Sequence, residues 1–185
     1  MKVADLERYR DFGLCAGGLD KAYERLGHGE YDTPRAMAKA YIDRGGAWLN
    51  VIRVAALLTN DRSWVYLVVR LVFEVIPAPL NEYATTLGPD NWDVARHHVK
   101  EIYDDHDDND DDDTFDLLIY ENTYFVLEYD IPSCTSGNIV TTADGVANAI
   151  FASKGKDADA AQIAEEKAIQ RILDIALSAV EGESK

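Results

Sequence analysis

Apolar residues at helical spacing predict a helix near the start of the chain. Leu19, Tyr23 and Leu26 recur three or four positions apart, and Gly27 follows in the position of a C-terminal cap. Residues three and four apart share one face of a helix, and glycine readily adopts the left-handed conformation that ends many helices. We therefore predict a helix that ends at Gly27.

Thr33 and Pro34 mark the start of a second helix. A threonine side chain can cap the first free amides of a helix, and proline is well suited to the first helical position because no amide is needed there. The predicted helix ends at Gly45-Gly46. Residues 47–58 are nearly all apolar and rich in Ala and Leu, which predicts a buried helix after it.

Residues 64–76 fit two patterns. Apolar residues at alternate positions are typical of a strand, whereas Arg70 and Glu74 lie four apart, as an ion pair on a helix would. The β-branched content favours the strand. Pro77 and Pro79 end the element, because neither has a backbone N–H to donate.

A further helix is predicted after Asp90, a typical N-cap residue. Its apolar seam is formed by Trp92, Ala95, Val99 and Ile102. Negative charge is unfavourable at the C-terminal end of a helix. Since a run of acids begins at residue 104, we expect this helix to end near Tyr103 or Asp104.

The last third of the chain predicts a hairpin and a long helix. Residues 115–120 and 124–129 are aromatic and β-branched, and the polar residues 121–123 between them predict the turn of a β-hairpin. Residues 132–145 are expected to form a loop, followed by a turn or two of helix. An amphipathic helix is predicted over 157–180. Its apolar face comprises Ile163, Ile169, Ile172, Leu173, Ala176 and Leu177.

These elements predict an α+β fold in a single domain over residues 1–185. The expected architecture is a helix-rich N-terminal half, a small antiparallel sheet holding 115–130 and 64–76, and a long C-terminal helix packed across the sheet. A chain of 185 residues, 47% of them apolar, is sufficient for one hydrophobic core.

Charge adds information about partners. The chain has 34 acids and 18 bases, a formal net charge of −16. Such a field repels nucleic acid and anionic membranes and attracts basic proteins and cations, so we expect no direct nucleic-acid or membrane binding. The lack of a secretory leader and of an apolar run of membrane-spanning length favours a cytoplasmic protein. Cys15 and Cys134 are then expected to be reduced thiols.

The acids are concentrated in an acidic loop, predicted at about residues 104–113. From Glu101 to Asp116 there are ten carboxylates and no Lys or Arg. Like charges this close repel by about 1 kcal/mol per pair in water. We therefore expect a cation or a basic partner to neutralise the segment. The predicted partner-binding residues are Asp104, Asp105, Asp107, Asp108, Asp110, Asp111, Asp112, Asp113 and Asp116, with Tyr103 and Tyr120 as aromatic anchors.

A calcium loop is the most specific chemical alternative for this segment. The candidate ligands are Asp105, Asp107, Asn109, Asp111 and Asp116, at positions 1, 3, 5, 7 and 12 of an EF-hand-like loop. Two features depart from that pattern. Asp110 stands where the loop normally turns on glycine, and position 12 holds Asp in place of the longer, bidentate Glu.

Three functions remain. The first is an acidic inhibitor that mimics nucleic acid and blocks a basic DNA- or RNA-binding protein, as small acidic proteins of phages and mobile elements block restriction or CRISPR enzymes. The second is an immunity-type partner of a basic toxin or nuclease, and the third is a calcium-regulated domain. Common catalytic motifs are missing, so we predict neither an enzyme nor a cofactor beyond calcium. The apolar segment 47–76 is also compatible with a homo-oligomer interface.

Overall fold

A computed structural model describes residues 1–12, 16–76, 78, 80–107 and 114–183, without the side chains of 11, 12, 16, 106, 107, 114–117 and 183. The described chain folds into α-helices and loops, with a 3-10 helix at Val3–Phe12 near the start and shorter 3-10 segments between later helices. The helices are α1 (Ala16–Leu26), α2 (Pro34–Asp43), α3 (Trp48–Leu58), α4 (Ser63–Phe73), α5 (Tyr83–Thr86), α6 (Trp92–Asp107), α7 (Thr114–Leu127), α8 (Ser136–Ala152) and α9 (Ala158–Glu183). No strand occurs among the described residues, which contain one isolated bridge between Lys2 and Glu30. The predicted α+β fold with an antiparallel sheet is therefore wrong, and the described fold is all-helical.

The helices predicted in the first third of the chain are confirmed. Pro34 takes the first position of α2, and the Thr33 side chain accepts a hydrogen bond from the Ala36 amide at 3.0 Å. Gly27 and Gly45 have φ angles of 64° and 79°. These left-handed conformations follow the ends of α1 and α2, as the sequence predicts.

Residues 64–76 are mainly helical, so the predicted strand is wrong. α4 buries eight of its eleven residues and packs against α5, α8 and α9. A helix buried on most sides is apolar at most positions, so alternate residues are apolar without a strand being present. Arg70 and Glu74 have different partners: Arg70 Nε donates to the Leu87 carbonyl at 2.8 Å, and Glu74 binds Arg171.

The segment predicted as a β-hairpin is the helix α7. Its buried residues follow helical spacing: Ile119, Tyr120, Thr123, Val126 and Leu127. The polar residues expected to form a turn bond to the helix instead. Thr123 Oγ1 donates to the Ile119 carbonyl and Asn122 Nδ2 donates to the Leu118 carbonyl, both at 2.7 Å. Because these side chains are satisfied by carbonyls one turn back, the helix continues through them, and tertiary burial outweighs the β-propensity of the aromatic residues.

α8 occupies most of the segment that was predicted to be a loop. It starts with a reciprocal cap: the Asn138 amide donates to Thr135 Oγ1 at 3.2 Å, and the Thr135 amide donates to Asn138 Oδ1 at 3.0 Å. Gly145, expected at the end of a loop, lies where α8 meets α7. A Cβ at this position would lie 2.7 Å from Val126 Cγ2, so glycine is needed for close helix packing and not for a turn.

α8 has the central position in the fold. It contacts α3, α4, α7 and α9, and α6 packs against α7. All of these helices contribute residues to one buried apolar cluster. α6 is thus connected to the centre of the fold largely through α7.

α6 is confirmed as a helix but continues to Asp107, beyond its predicted end. Lys100 Nζ donates to Asp104 Oδ2 at 2.7 Å. This pair, one helical turn apart, offsets part of the unfavourable negative charge at the C-terminal end of the helix.

The long C-terminal helix is confirmed as α9, which has 26 residues. Most of its predicted apolar face is buried or partly buried, but Ile163 is 52% exposed and lies outside that face. None of the described helices is both long enough and apolar enough to cross a membrane.

Candidate partner-binding site

The acidic segment connects two packed helices. α6 ends at Asp107, α7 begins at Thr114, and the two helices contact each other. Both flanks of the acidic segment therefore belong to one helix pair, which we call the α6–α7 pair. Asp104 and Asp105, the two acids of this segment with described side chains, are carried by α6.

Several polar side chains of α6 pair along their own helix. The three pairs are Arg96 with Asp93 at 2.9 Å, His97 with Glu101 at 3.3 Å, and Lys100 with Asp104 at 2.7 Å. Each pair is exposed and spans three or four residues, so it supports its own helix. The hydrogen bond to Asp104 raises the pKa of Lys100.

An aromatic cluster lies next to these charges. The rings of Tyr103 and Tyr124 stack with centroids 5.5 Å apart and planes 2° apart, and the Phe125 ring centroid lies 5.8 Å from that of Tyr124. Lys100 Nζ is 5.9 Å from the Tyr124 ring centroid. Phe125 is 48% exposed. The α6–α7 pair thus combines acids with an accessible aromatic side chain, the kind of group that often anchors a protein partner.

Tyr103 and Tyr120, the two predicted aromatic anchors, have different surroundings in the structure. Tyr103 belongs to the aromatic cluster, whereas Tyr120 is only 8% exposed and lies in the core. Phe125 was not singled out from the sequence, because residues 124–129 were assigned to a strand. Phe125 directly follows the stacked Tyr124 in α7. Successive residues of a helix point in different directions, and Phe125 lies on the exposed side.

The negative charge extends well beyond the acidic segment itself. Residues 101–153 contain 14 acids and no Lys or Arg, which leaves 20 acids and 18 bases in the rest of the chain. This region includes the end of α6 and all of α7 and α8. Nearly all of the net charge is therefore carried by one contiguous part of the sequence, a signal that was visible without a structure.

Most of the predicted acidic site lies outside the described residues. The structure describes the side chains of Asp104 and Asp105, and both residues are exposed. It does not describe the side chains of Asp107 and Asp116, or any part of Asp108, Asn109, Asp110, Asp111, Asp112 and Asp113. Among the described residues, no group of three His, Cys, Asp or Glu could hold a metal ion. The calcium site stays a prediction, since four of its five ligand side chains are not described.

The surroundings of two other groups, the Cys134 thiol and the Tyr83 hydroxyl, determine their chemical properties. Cys134 is buried, and this burial raises the pKa of its thiol to about 11. The thiol is therefore protonated at neutral pH and a poor nucleophile. Tyr83 Oη lies 3.3 Å from His98 Nδ1, and burial raises the pKa of Tyr83. The phenol therefore stays neutral and forms a hydrogen bond between α5 and α6.

Comparison of the chain with models of protein families, with curated proteins and with solved structures finds no match.

Proposed function

We propose that this protein binds a basic, nucleic-acid-binding protein and inhibits it by occupying its nucleic-acid site. The observation that carries the proposal is the segregation of charge: residues 101–153 hold 14 acids and no Lys or Arg, against a nearly neutral remainder. A groove built for a polyanion has rows of Lys and Arg, and carboxylates on a scaffold can replace phosphates there.

The α6–α7 pair suits this role because its described ion pairs do not connect it to the rest of the fold. The ion pairs of α6 lie within the helix, and α7 contains no Lys or Arg to neutralise its surroundings. An unbalanced negative field speeds encounter with a basic partner, while the exposed ring of Phe125 provides apolar contact after encounter.

The test is a binding experiment with two variants of equal charge. The site variant changes Asp110, Asp111, Asp112 and Asp113 to Asn. The control variant changes Glu24 to Gln and Asp32, Asp90 and Asp159 to Asn, all of which are exposed and lie outside 101–153. Each variant neutralises four acids, so a general effect of net charge alters both equally.

We expect the immobilised protein to retain a basic nucleic-acid-binding protein that elutes at moderate salt, because electrostatic association weakens as ions screen it. The control variant should retain it as well, and the site variant should not. Duplex DNA or RNA should compete for the retained protein and restore its activity when added in excess. Equal retention by both variants, or retention that nucleic acid does not affect, would contradict the proposal.

The same experiment separates the immunity-type alternative. A partner that neutralises a toxin at a surface away from its nucleic-acid site would inhibit the toxin without competing with nucleic acid. Competition is therefore the readout that distinguishes a mimic from an immunity protein.

A further inference from the structure

A second candidate site lies in the N-terminal half, away from the acidic segment. The 3-10 helix at Val3–Phe12 and helices α1, α2, α3 and α9 surround a cavity of about 90 Å³ that is partly open to solvent. Its lining is mostly apolar and includes Ala22, Leu26, Met37, Val51, Leu177 and Val180. A cavity lined in this way favours an apolar occupant over water.

Three polar residues also line this cavity: Tyr41, Asn50 and Arg53. Asn50 Nδ2 donates to the Tyr41 hydroxyl at 2.9 Å. Because the Tyr41 oxygen accepts that bond, its own proton is available to a further acceptor. The ring of Tyr41 is held firmly in place, since Gly46 approaches it so closely that a Cβ at position 46 would overlap the ring.

Arg53 has an unusual environment for an arginine in an acidic protein. Nine other arginines form a hydrogen bond, an ion pair or a contact with an aromatic ring. Arg53 is partly buried and has no such contact with the residues that the structure describes. A guanidinium with five donors in a planar fork is well matched to a carboxylate, which can accept two of them.

A second cation, Arg25, lies outside the cavity lining but beside the ring of one residue that forms it. Arg25 Cζ lies 5.6 Å from the centroid of the Tyr41 ring. The cavity thus combines an apolar interior with the Tyr41 O–H donor and the Arg53 guanidinium in its lining. A net charge of −16 for the whole chain would otherwise disfavour an anion, so the guanidinium of Arg53 in the lining is the feature that selects one.

We infer that this cavity binds a small amphipathic carboxylate, with its alkyl tail among the apolar residues and its carboxylate between Arg53 and the Tyr41 hydroxyl. The volume limits the enclosed part of the tail: a cavity of about 150 Å³ holds benzene, and this one is smaller. A short alkyl chain fits this limit, with the charged group at the opening. This site is independent of the acidic segment and of the function proposed for it.

Calorimetric titration with sodium hexanoate tests the inference, using 1-hexanol as a neutral ligand of equal tail length and acetate as a charged ligand without the tail. The variant is Arg53→Gln. The matched control is Arg96→Gln, which removes an exposed arginine from α6, outside the cavity lining. Thermal unfolding of each variant verifies that it is folded.

We expect hexanoate to bind the unchanged protein and Arg96→Gln equally, and to bind Arg53→Gln at least tenfold more weakly. Hexanol should bind all three proteins alike, and acetate should bind more weakly than hexanoate. Arg53→Lys should retain part of the affinity, because it keeps the charge but loses the planar fork. Absence of hexanoate binding to the unchanged protein, equal binding to Arg53→Gln, or equal affinity for acetate and hexanoate would overturn the inference.

Discussion

α9 and α6 are both charged helices on the surface, but their ion pairs connect different parts of the molecule. Arg171 of α9 donates to Glu74, just after α4, through bonds of 2.6 and 2.8 Å. Asp174 of α9 accepts from Arg35 of α2 at 2.6 Å. In α6, by contrast, the described ion pairs join residues of the same helix. The ion pairs of α9 therefore connect different helices, and the described ion pairs of α6 do not.

The α6–α7 pair is attached to the rest of the fold by packing. α7 buries Val126 and Leu127, and it meets α8 where Gly145 permits close approach. Since the contact of α7 with α8 is apolar, we expect exchange of exposed acids on the α6–α7 pair to leave the fold intact. We therefore expect the stability of the fold and its net charge to depend on different residues.

The largest expected effect comes from disturbing the α7–α8 contact. In Gly145→Ala the new methyl group would lie close to Val126 Cγ2, so we expect a loss of about 1–3 kcal/mol in the free energy of unfolding from overpacking. Without this contact, alanine would stabilise the helix by up to about 1 kcal/mol relative to glycine. A net loss of stability would therefore show that the close contact is its cause. Urea denaturation measures this change in the free energy of unfolding.

The control for this contact is the double variant Gly145→Ala with Val126→Ala. Removal of the Val126 methyl groups makes room for the new side chain, so adding Gly145→Ala to the Val126→Ala background should cost nothing or stabilise the protein. An equal loss on both backgrounds would show that the close approach is not the cause.

A smaller effect is expected from Arg171→Gln, which breaks an ion pair between helices. Both side chains are about half exposed, at 53% for Arg171 and 41% for Glu74, so we expect a loss of about 0.5–1 kcal/mol at neutral pH, the upper range for exposed pairs. Salt should reduce the loss by screening.

The pH dependence of this pair follows from the carboxylate. The hydrogen bonds from Arg171 lower the pKa of Glu74 in the folded protein. The pair therefore stabilises the fold above the unfolded-state pKa of glutamate, about 4.3, and this stabilisation is lost as the pH falls through the lower folded-state pKa. The difference between Arg171→Gln and the unchanged protein should shrink under acid. A difference that stays constant from pH 7 to pH 2 would mean that the arginine acts by packing alone.

The smallest effect is expected within α6. In the double variant Arg96→Gln with Asp93→Asn, an exposed pair one turn apart is lost, and the described contact of both side chains lies within α6. We expect the midpoint of thermal unfolding to stay within experimental error of the unchanged protein. A decrease as large as that of Arg171→Gln would show that the two helices do not differ in this respect.

Local signals identified several helices because the responsible contacts are themselves local. The Thr33 cap bonds an amide three residues away, and Gly27 adopts its left-handed conformation directly after α1. α6 and α9 have one apolar face each, so the spacing of their apolar residues is informative. The end of α6 was predicted less well, because the effect of the acids was considered without the compensating bond from Lys100.

The strand and hairpin predictions failed where burial removes the information in the pattern. α4 is apolar on most sides, so apolar residues occur at alternate positions even though the segment is a helix. In α7 the residues that resemble a turn are satisfied by carbonyls of the helix, as for Thr123 bonded to Ile119. The position of Gly145 was also ambiguous, since glycine serves loops and close helix contacts alike. Only its neighbours in three dimensions distinguish the two uses.

The sequence by itself determined the segregation of charge, the helix ends set by Thr33 and Gly27, and the long helix α9, because these depend on residue type and on neighbours within a turn. Only the tertiary structure decided that α4 and α7 are helices, that Tyr120 is buried while Phe125 is exposed, and that Arg53 lies at an apolar cavity. These outcomes depend on which distant surfaces meet, and packing between distant segments overrides local propensity wherever both are possible.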